Sequence, residues 1–196
     1  MAKLEPGTRQ RMIISTSVLI RERGARATSI DDVLEHSGAP RGSVYHHFPG
    51  GREQMLRDAT DFASEYVARR LEHVSGDGPL AAIEALYDWY RENLVESDYR
   101  AGCPVVAVAI ESPPEGPDLR DSARKAFERW RRLLASEMEA AGIDKCRAEE
   151  LGMLVLAAFE GALILSRTYR DLAPLDSVRR EIHERVSAEL ARQGGS

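Results

Sequence analysis

The sequence predicts an all-α protein of about nine helices, in which a small N-terminal three-helix unit precedes a larger helical body. Three observations predict it. Apolar residues recur at i, i+3, i+4 and i+7 along almost the whole chain. Glycines and prolines fall between these segments, where helices end and begin. No stretch alternates apolar and polar residues as a half-buried strand would, and no internal repeat or low-complexity tract breaks the pattern. With 196 residues, 43% of them hydrophobic, the chain can bury a core either as one domain or as a small domain fused to a larger one.

Met1–Gly7 reads as a frayed arm without the apolar segment of a signal peptide. The first helix is predicted over Thr8–Arg23, with Met12, Ser15, Thr16, Leu19 and Ile20 on its inner side and Gly24 as its stop. Thr28 and Ser29 offer capping hydroxyls to the second helix, and Asp31 and Asp32 put negative charge in its first turn. Ile30, Val33 and Leu34 form its apolar face, Gly38 ends it, and Pro40 opens a third helix over Arg41–His47. That helix is short and polar. Val44 and Phe48 face inward, which leaves Arg41, Ser43, Tyr45, His46 and His47 outward. A guanidinium, a hydroxyl, a phenol and imidazoles on one exposed face suit phosphates and base edges. The pattern is a helix-turn-helix, and it implies binding to double-stranded DNA.

Pro49-Gly50-Gly51 breaks the chain before a long fourth helix, Arg52 to about Val74. Its unpaired N–H groups and Arg52 would suit a phosphate. The candidate DNA contacts are therefore Thr28, Ser29, Arg41, Gly42, Ser43, Tyr45, His46 and Arg52. The inner stripe of helix four runs through Met55, Leu56, Ala59, Phe62, Ala63, Tyr66, Val67 and Leu71. A boundary at 51/52 gives a DNA-binding domain, 1–51, and a ligand-binding and dimerisation domain, 52–196. Helix five, Leu80–Glu96, buries Ile83, Leu86, Tyr87 and Tyr90, with Trp89 off the stripe. A short apolar helix follows within Gly102–Ile110, then a stiff loop, Ser112–Pro117. Helix seven, Asp118–Ala141, is amphipathic through Leu119, Ala123, Phe127, Trp130, Leu134 and Met138. Helix eight, Arg147–Arg170, is apolar almost all round, and helix nine, Leu175–Arg192, has one stripe: Val178, Ile182, Val186 and Leu190.

Charge separates the two parts. The first 57 residues hold nine basic and six acidic side chains, whereas the whole chain carries −5, so a basic head sits on an acidic body. Cys103 and Cys146 give neither a disulfide framework nor metal spacing and read as reduced core residues of a cytoplasmic protein. The apolar run Leu151–Leu165 is shorter than the ~20 residues of a membrane helix and contains Glu160. Asp32 and His36, at i and i+4, lack a third ligand for a metal. No catalytic constellation, phosphate loop or cofactor motif is apparent, so an enzyme is the least favoured class.

Phe62, Tyr66, Tyr90, Cys103, Val106, Ile110, Phe127, Trp130 and Phe159 either line a cavity for a small hydrophobic effector or form plain core. Glu111 and Glu160 are its candidate polar groups, with solvated or ion-paired carboxylates as the alternative. The aromatic walls and acidic body favour a neutral or cationic ring compound. The second side of helix eight needs a cover. Leu154, Ala158, Gly161, Ala162 and Leu165, with Val178, Ile182 and Val186 of helix nine, are expected to meet a second copy; a helix buried in a monomer is the alternative.

The T-R-x-R start at Thr8, the run Arg23–Ile30 and the Gly38–Pro49 pattern ending Tyr45-His46-His47-Phe48-Pro49 resemble the DNA-binding domain of TetR-type repressors. Pro40-Arg41-Gly42-Ser43, the segment Phe48–Gln54, and Gly102-Cys103-Pro104 followed by Glu111 resemble the subgroup of the lincomycin-resistance repressor. The chain departs from the broad family at Ala25, where an aromatic is usual, at Pro40 and in the doubled Gly50-Gly51. The resemblance implies a homodimer, joined by a four-helix bundle of helices eight and nine, on a near-palindromic operator. It also implies release of DNA by drug-like or plant-type small molecules. A DNA-binding dimer with no ligand response remains the alternative.

Overall fold

The computed structural model describes residues 6–112 and 117–193, and these form only helices and their connections. The order is α1 (Thr8–Arg23), α2 (Ile30–Ser37), a 3-10 turn (Arg41–Ser43), α3 (Val44–His47), α4 (Gly51–His73), α5 (Pro79–Glu96), α6 (Pro104–Glu111), α7 (Pro117–Ala140), α8 (Lys145–Tyr169) and α9 (Ala173–Gln193). The all-α expectation therefore holds. Most of the arm Met1–Gly7 and of the loop Ser112–Pro117 lies outside the described residues.

The third helix differs from its expected form. Its first half is the 3-10 turn, because the Ser43 N–H and hydroxyl both return to the Pro40 carbonyl, at 2.9 and 2.6 Å. A glycine at 42 adds little helical drive against that competition. The α-helical part is one turn. α8 begins two residues earlier than expected because the Asp144 side chain accepts from the N–H groups of Cys146 and Arg147. Cys146 thus lies at the start of a capped helix and is exposed, whereas Cys103 is buried as expected.

Contacts divide the chain into two compact units, one of residues up to 63 with 103–126, the other of 64–102 with 127 onward; the divisions fall inside α4 and α7. The expected boundary at 51/52 falls at the start of α4. In the first unit Met12, Ile13 and Leu19 of α1 close over Val33, Leu34, Val44, Phe48 and Met55, with Ile30 and Phe62 at the edge. Gly38, at φ 63°, ψ 22°, supplies the left-handed residue that ends α2. The short α6 packs on α1.

The second unit is built on α5, α8 and α9, which pack on one another. Tyr87 and Tyr90 of α5 meet Phe159 of α8 edge-on, at 5.3 and 4.8 Å between ring centres. A Cβ on Gly152 would come within 3.0 Å of the Arg131 carbonyl, so glycine there lets α8 approach α7 closely. Trp130 is buried, and its indole N–H donates to the Ser64 carbonyl at 3.0 Å. Glu137, also buried, holds the turn after α4 by accepting from the Ser75 hydroxyl and the Gly76 N–H.

Candidate nucleic-acid interface

The surface formed by the start of α2, the 3-10 turn and α3 is set by capping. Ser29 accepts from the Asp32 N–H at 3.2 Å while the Asp32 carboxylate accepts from the Ser29 N–H at 2.9 Å, a reciprocal capping box. The Ser29 hydroxyl and main chain, with Arg23 behind them, hold the Asp32 carboxyl below the ordinary carboxylate range. The charged cap fixes the direction in which α2 leaves, and thereby the angle between α2 and α3. His36, considered with Asp32 as a metal pair, instead places Nδ1 2.9 Å from the Ser15 hydroxyl.

The eight candidate contacts do not share one fate. Arg41, Gly42, Tyr45 and His46 are exposed together, Tyr45 at 71%. Ser29 is exposed but occupied by its capping box, and Ser43 is half-buried with its hydroxyl on Pro40. Thr28 is turned inward: it is buried, and its hydroxyl donates to the Gly24 carbonyl at 2.8 Å. Arg52 donates to the carbonyls of Thr28 (2.8 Å), Ala25 and Arg26. The Gly24–Thr28 turn leaves those carbonyls without helical partners, and a guanidinium with five donors satisfies several at once.

Two features of this surface were not anticipated. Asp31 stands on the exposed face and pairs with Arg41 at 2.7 Å. Glu111, at the end of α6, neither enters a pocket nor is merely solvated. Its carboxylate accepts from the Arg26 N–H at 2.6 Å, and its main-chain oxygen accepts from Arg26 Nε at 3.3 Å. Gly24 makes room for it: at φ 92°, ψ 162° the backbone is in a region open to glycine, and a Cβ there would overlap the Glu111 carboxylate. The α1–α2 turn is therefore gripped by Arg52 and by Glu111. Other cations of the head are also paired, Arg9 with Asp58 at 2.7 Å and Arg23 with Asp32 at 3.2 Å. Such exposed pairs stabilise little, so phosphates can displace them cheaply.

The candidate effector residues fall into both units. In the first, Cys103 is buried, Phe62 and Val106 are half-buried, and Ile110 is 73% exposed. In the second, rings follow one another from Tyr66 to Trp89 (5.1 Å), Tyr90 (4.5 Å) and Phe159 (4.8 Å), while Phe127 meets Trp130 at 5.8 Å. Tyr66, expected inside, is half exposed, with the Arg70 guanidinium over its ring. Glu160 is buried. Tyr87, expected as core, is fully buried, and its hydroxyl meets no hydrogen-bond partner among the described residues. Burial pushes its phenol well above the usual range.

Of the expected dimer residues, Leu154, Gly161 and Leu165 are exposed on α8, and Ala158 and Val178 are half-buried. Ala162, Ile182 and Val186 are buried within the chain itself. The reason is that α9 folds back on α8 and α5, so its stripe is covered by its own chain. The apolar surface left bare on α8 also includes Met153 and Ile164. Among the described residues no three His, Cys, Asp or Glu side chains are grouped to hold a metal, and no helix is long and apolar enough to cross a membrane.

Comparison with known proteins agrees with this architecture. The family "Bacterial regulatory proteins, tetR family" matches residues 15–59, and "Transcriptional regulator LmrA/YxaF-like, C-terminal domain" matches residues 79–181. An uncharacterized HTH-type transcriptional regulator of Mycobacterium tuberculosis is 48% identical over 94% of this chain and 96% of its own length. The HTH-type transcriptional regulator LmrA of Bacillus subtilis is 27% identical over 86% of this chain and 90% of its own. The crystal structure of a TetR transcriptional regulator from Legionella pneumophila superposes with a TM-score of 0.82 at 23% identity, covering 93% of this chain and 98% of that one, which shows the shared fold. With a helix-turn-helix at its head and these matches along its length, the chain belongs to the TetR family of bacterial DNA-binding transcriptional regulators.

Proposed function

We propose that the protein is a cytoplasmic repressor of the subgroup resembling the lincomycin-resistance repressor, and that it leaves a near-palindromic operator when a small hydrophobic ligand binds. The observation that carries the DNA-reading part is the joint exposure of Arg41 on the 3-10 turn with Tyr45 and His46 on the one-turn α3. Tyr45 has no packing role at 71% exposure, which favours contact with a partner. Residues up to 51 read DNA, and those from 52 onward sense and dimerise. Two copies joined through α8 would set two such helices in successive major grooves, ~34 Å apart.

Selection from a random-sequence duplex library identifies the operator, and fluorescence anisotropy then compares the unmodified protein with Arg41→Ala. The variant is expected to lose ~1–3 kcal/mol on the selected site. A phosphate contact would weaken all sequences alike and lower the salt slope by ~1, whereas base reading would relax one position. Unchanged affinity and salt slope would remove Arg41 from the interface. Leu165→Glu places a charge on the bare face of α8, and sedimentation is expected to find monomers at concentrations where the unmodified protein is a dimer. A dimer that persists would put the contact elsewhere.

The ligand part rests on Tyr87, because buried hydroxyls are normally hydrogen-bonded, this one meets no partner among the described residues, and the Tyr87 ring lies edge-on to Phe159. A ring compound with a hydrogen-bond acceptor would meet both. One observation favours the alternative, a dimer without ligand response: Trp130 is fully packed with its N–H satisfied, as a core residue would be. Titrating the operator complex with neutral and cationic ring compounds separates the two, since only the first reading expects release.

A further inference from the structure

Arg41 does not face DNA alone. Its guanidinium lies 2.7 Å from the Asp31 carboxylate, and the two side chains are 80% and 69% exposed. Both line a shallow hollow of about 290 Å³, together with Ser29 and Tyr45, on the face already described. An ion pair this exposed adds little to folding. Its effect on binding is larger. A carboxylate beside the only outward arginine of the reading turn repels every phosphate that approaches, and it competes with that phosphate for the guanidinium.

The pair nevertheless matches one kind of target. Across the major groove a G·C pair presents two acceptors, N7 and O6 of guanine, and then a donor, the N4 amino group of cytosine. Arginine beside aspartate presents two donors and then an acceptor. An A·T pair presents acceptor, donor, acceptor, which this order does not fit. We propose that Asp31 and Arg41 act as one composite reader of a G·C base pair, Arg41 donating to guanine and Asp31 accepting from cytosine N4. Asp31 is then the specificity-determining residue, because it withholds Arg41 from bare phosphate. The inference rests on the reading that this face enters the major groove.

The test uses the full chain and the same random-duplex selection, with Asp31→Leu and Asp31→Ala beside the unmodified protein. The unmodified chain is expected to enrich one G·C pair at the same place in each half-site. Asp31→Ala removes the acceptor, and the preference for that pair is expected to fall roughly tenfold, within the range of a good base contact. Both variants lose the charge, so both are expected to bind unselected duplex several-fold more tightly, with a steeper salt dependence. Circular dichroism confirms that each variant is helical, and Asp31→Leu keeps the shape without an acceptor if the alanine variant does not fold. Tighter binding to unselected duplex with the same base preference in every folded variant would overturn the composite reader, as would variants that match the unmodified protein throughout. If the unmodified chain enriches no sequence, the DNA-reading proposal fails and this inference falls with it.

Discussion

Trp130→Ala is expected to destabilise the protein by about 3–5 kcal/mol, the range for removing a large buried aromatic. Trp130 is 2% exposed, touches the Phe127 ring edge-on and holds the Ser64 carbonyl through its indole N–H. Its loss removes apolar burial, opens a cavity and leaves a buried carbonyl of α4 without its side-chain donor. Urea unfolding followed by circular dichroism measures the change. A cost below about 1 kcal/mol would mean that the site collapses without a cavity. The same variant bears on the effector: if it stays folded and still releases operator normally with an inducer, Trp130 is core and the ligand lies elsewhere.

Gly24→Ala should have the next largest effect. The glycine-only backbone conformation alone costs about 1–3 kcal/mol once a Cβ is present. The new methyl also displaces the Glu111 carboxylate, which can swing aside only by giving up the Arg26 N–H, a further ~1 kcal/mol. The two costs can be separated. In a Glu111→Ala background the second is already absent, so Gly24→Ala should cost less there by about the coupling energy of the pair. Additive losses in the double variant would show that the carboxylate and the turn are energetically independent.

Much of this fold was legible because helix ends carry their own chemistry. Gly24, Gly38 and Pro104 stand at helix ends or starts, and the limits of α1 followed directly. The apolar faces of α1, α2 and α3 were equally plain, since the 3.6-residue period leaves few choices for Met12, Val33, Val44 and Phe48. Side-chain direction at the ends of elements was not legible. Thr28 and Arg52 turn inward because a glycine turn exposes carbonyls that sequence spacing does not reveal. Ile182 and Val186 form a clear stripe, but a stripe does not say whether its cover is the same chain or another one. Glu111 and Arg26 lie 85 residues apart, and no local pattern announces their contact.

The enclosed Tyr87 phenol also has a consequence in alkali. A tyrosine in an unfolded chain ionises near pH ~10, whereas burial raises the folded value above that. Folded Tyr87 thus keeps a proton that the unfolded chain releases. Its contribution to stability is complete below the unfolded value and drains away as the pH climbs toward the folded one. The Tyr87 share of the phenolate absorbance should accordingly be withheld until the helices melt. That late rise makes the residue a built-in optical reporter of base-induced collapse.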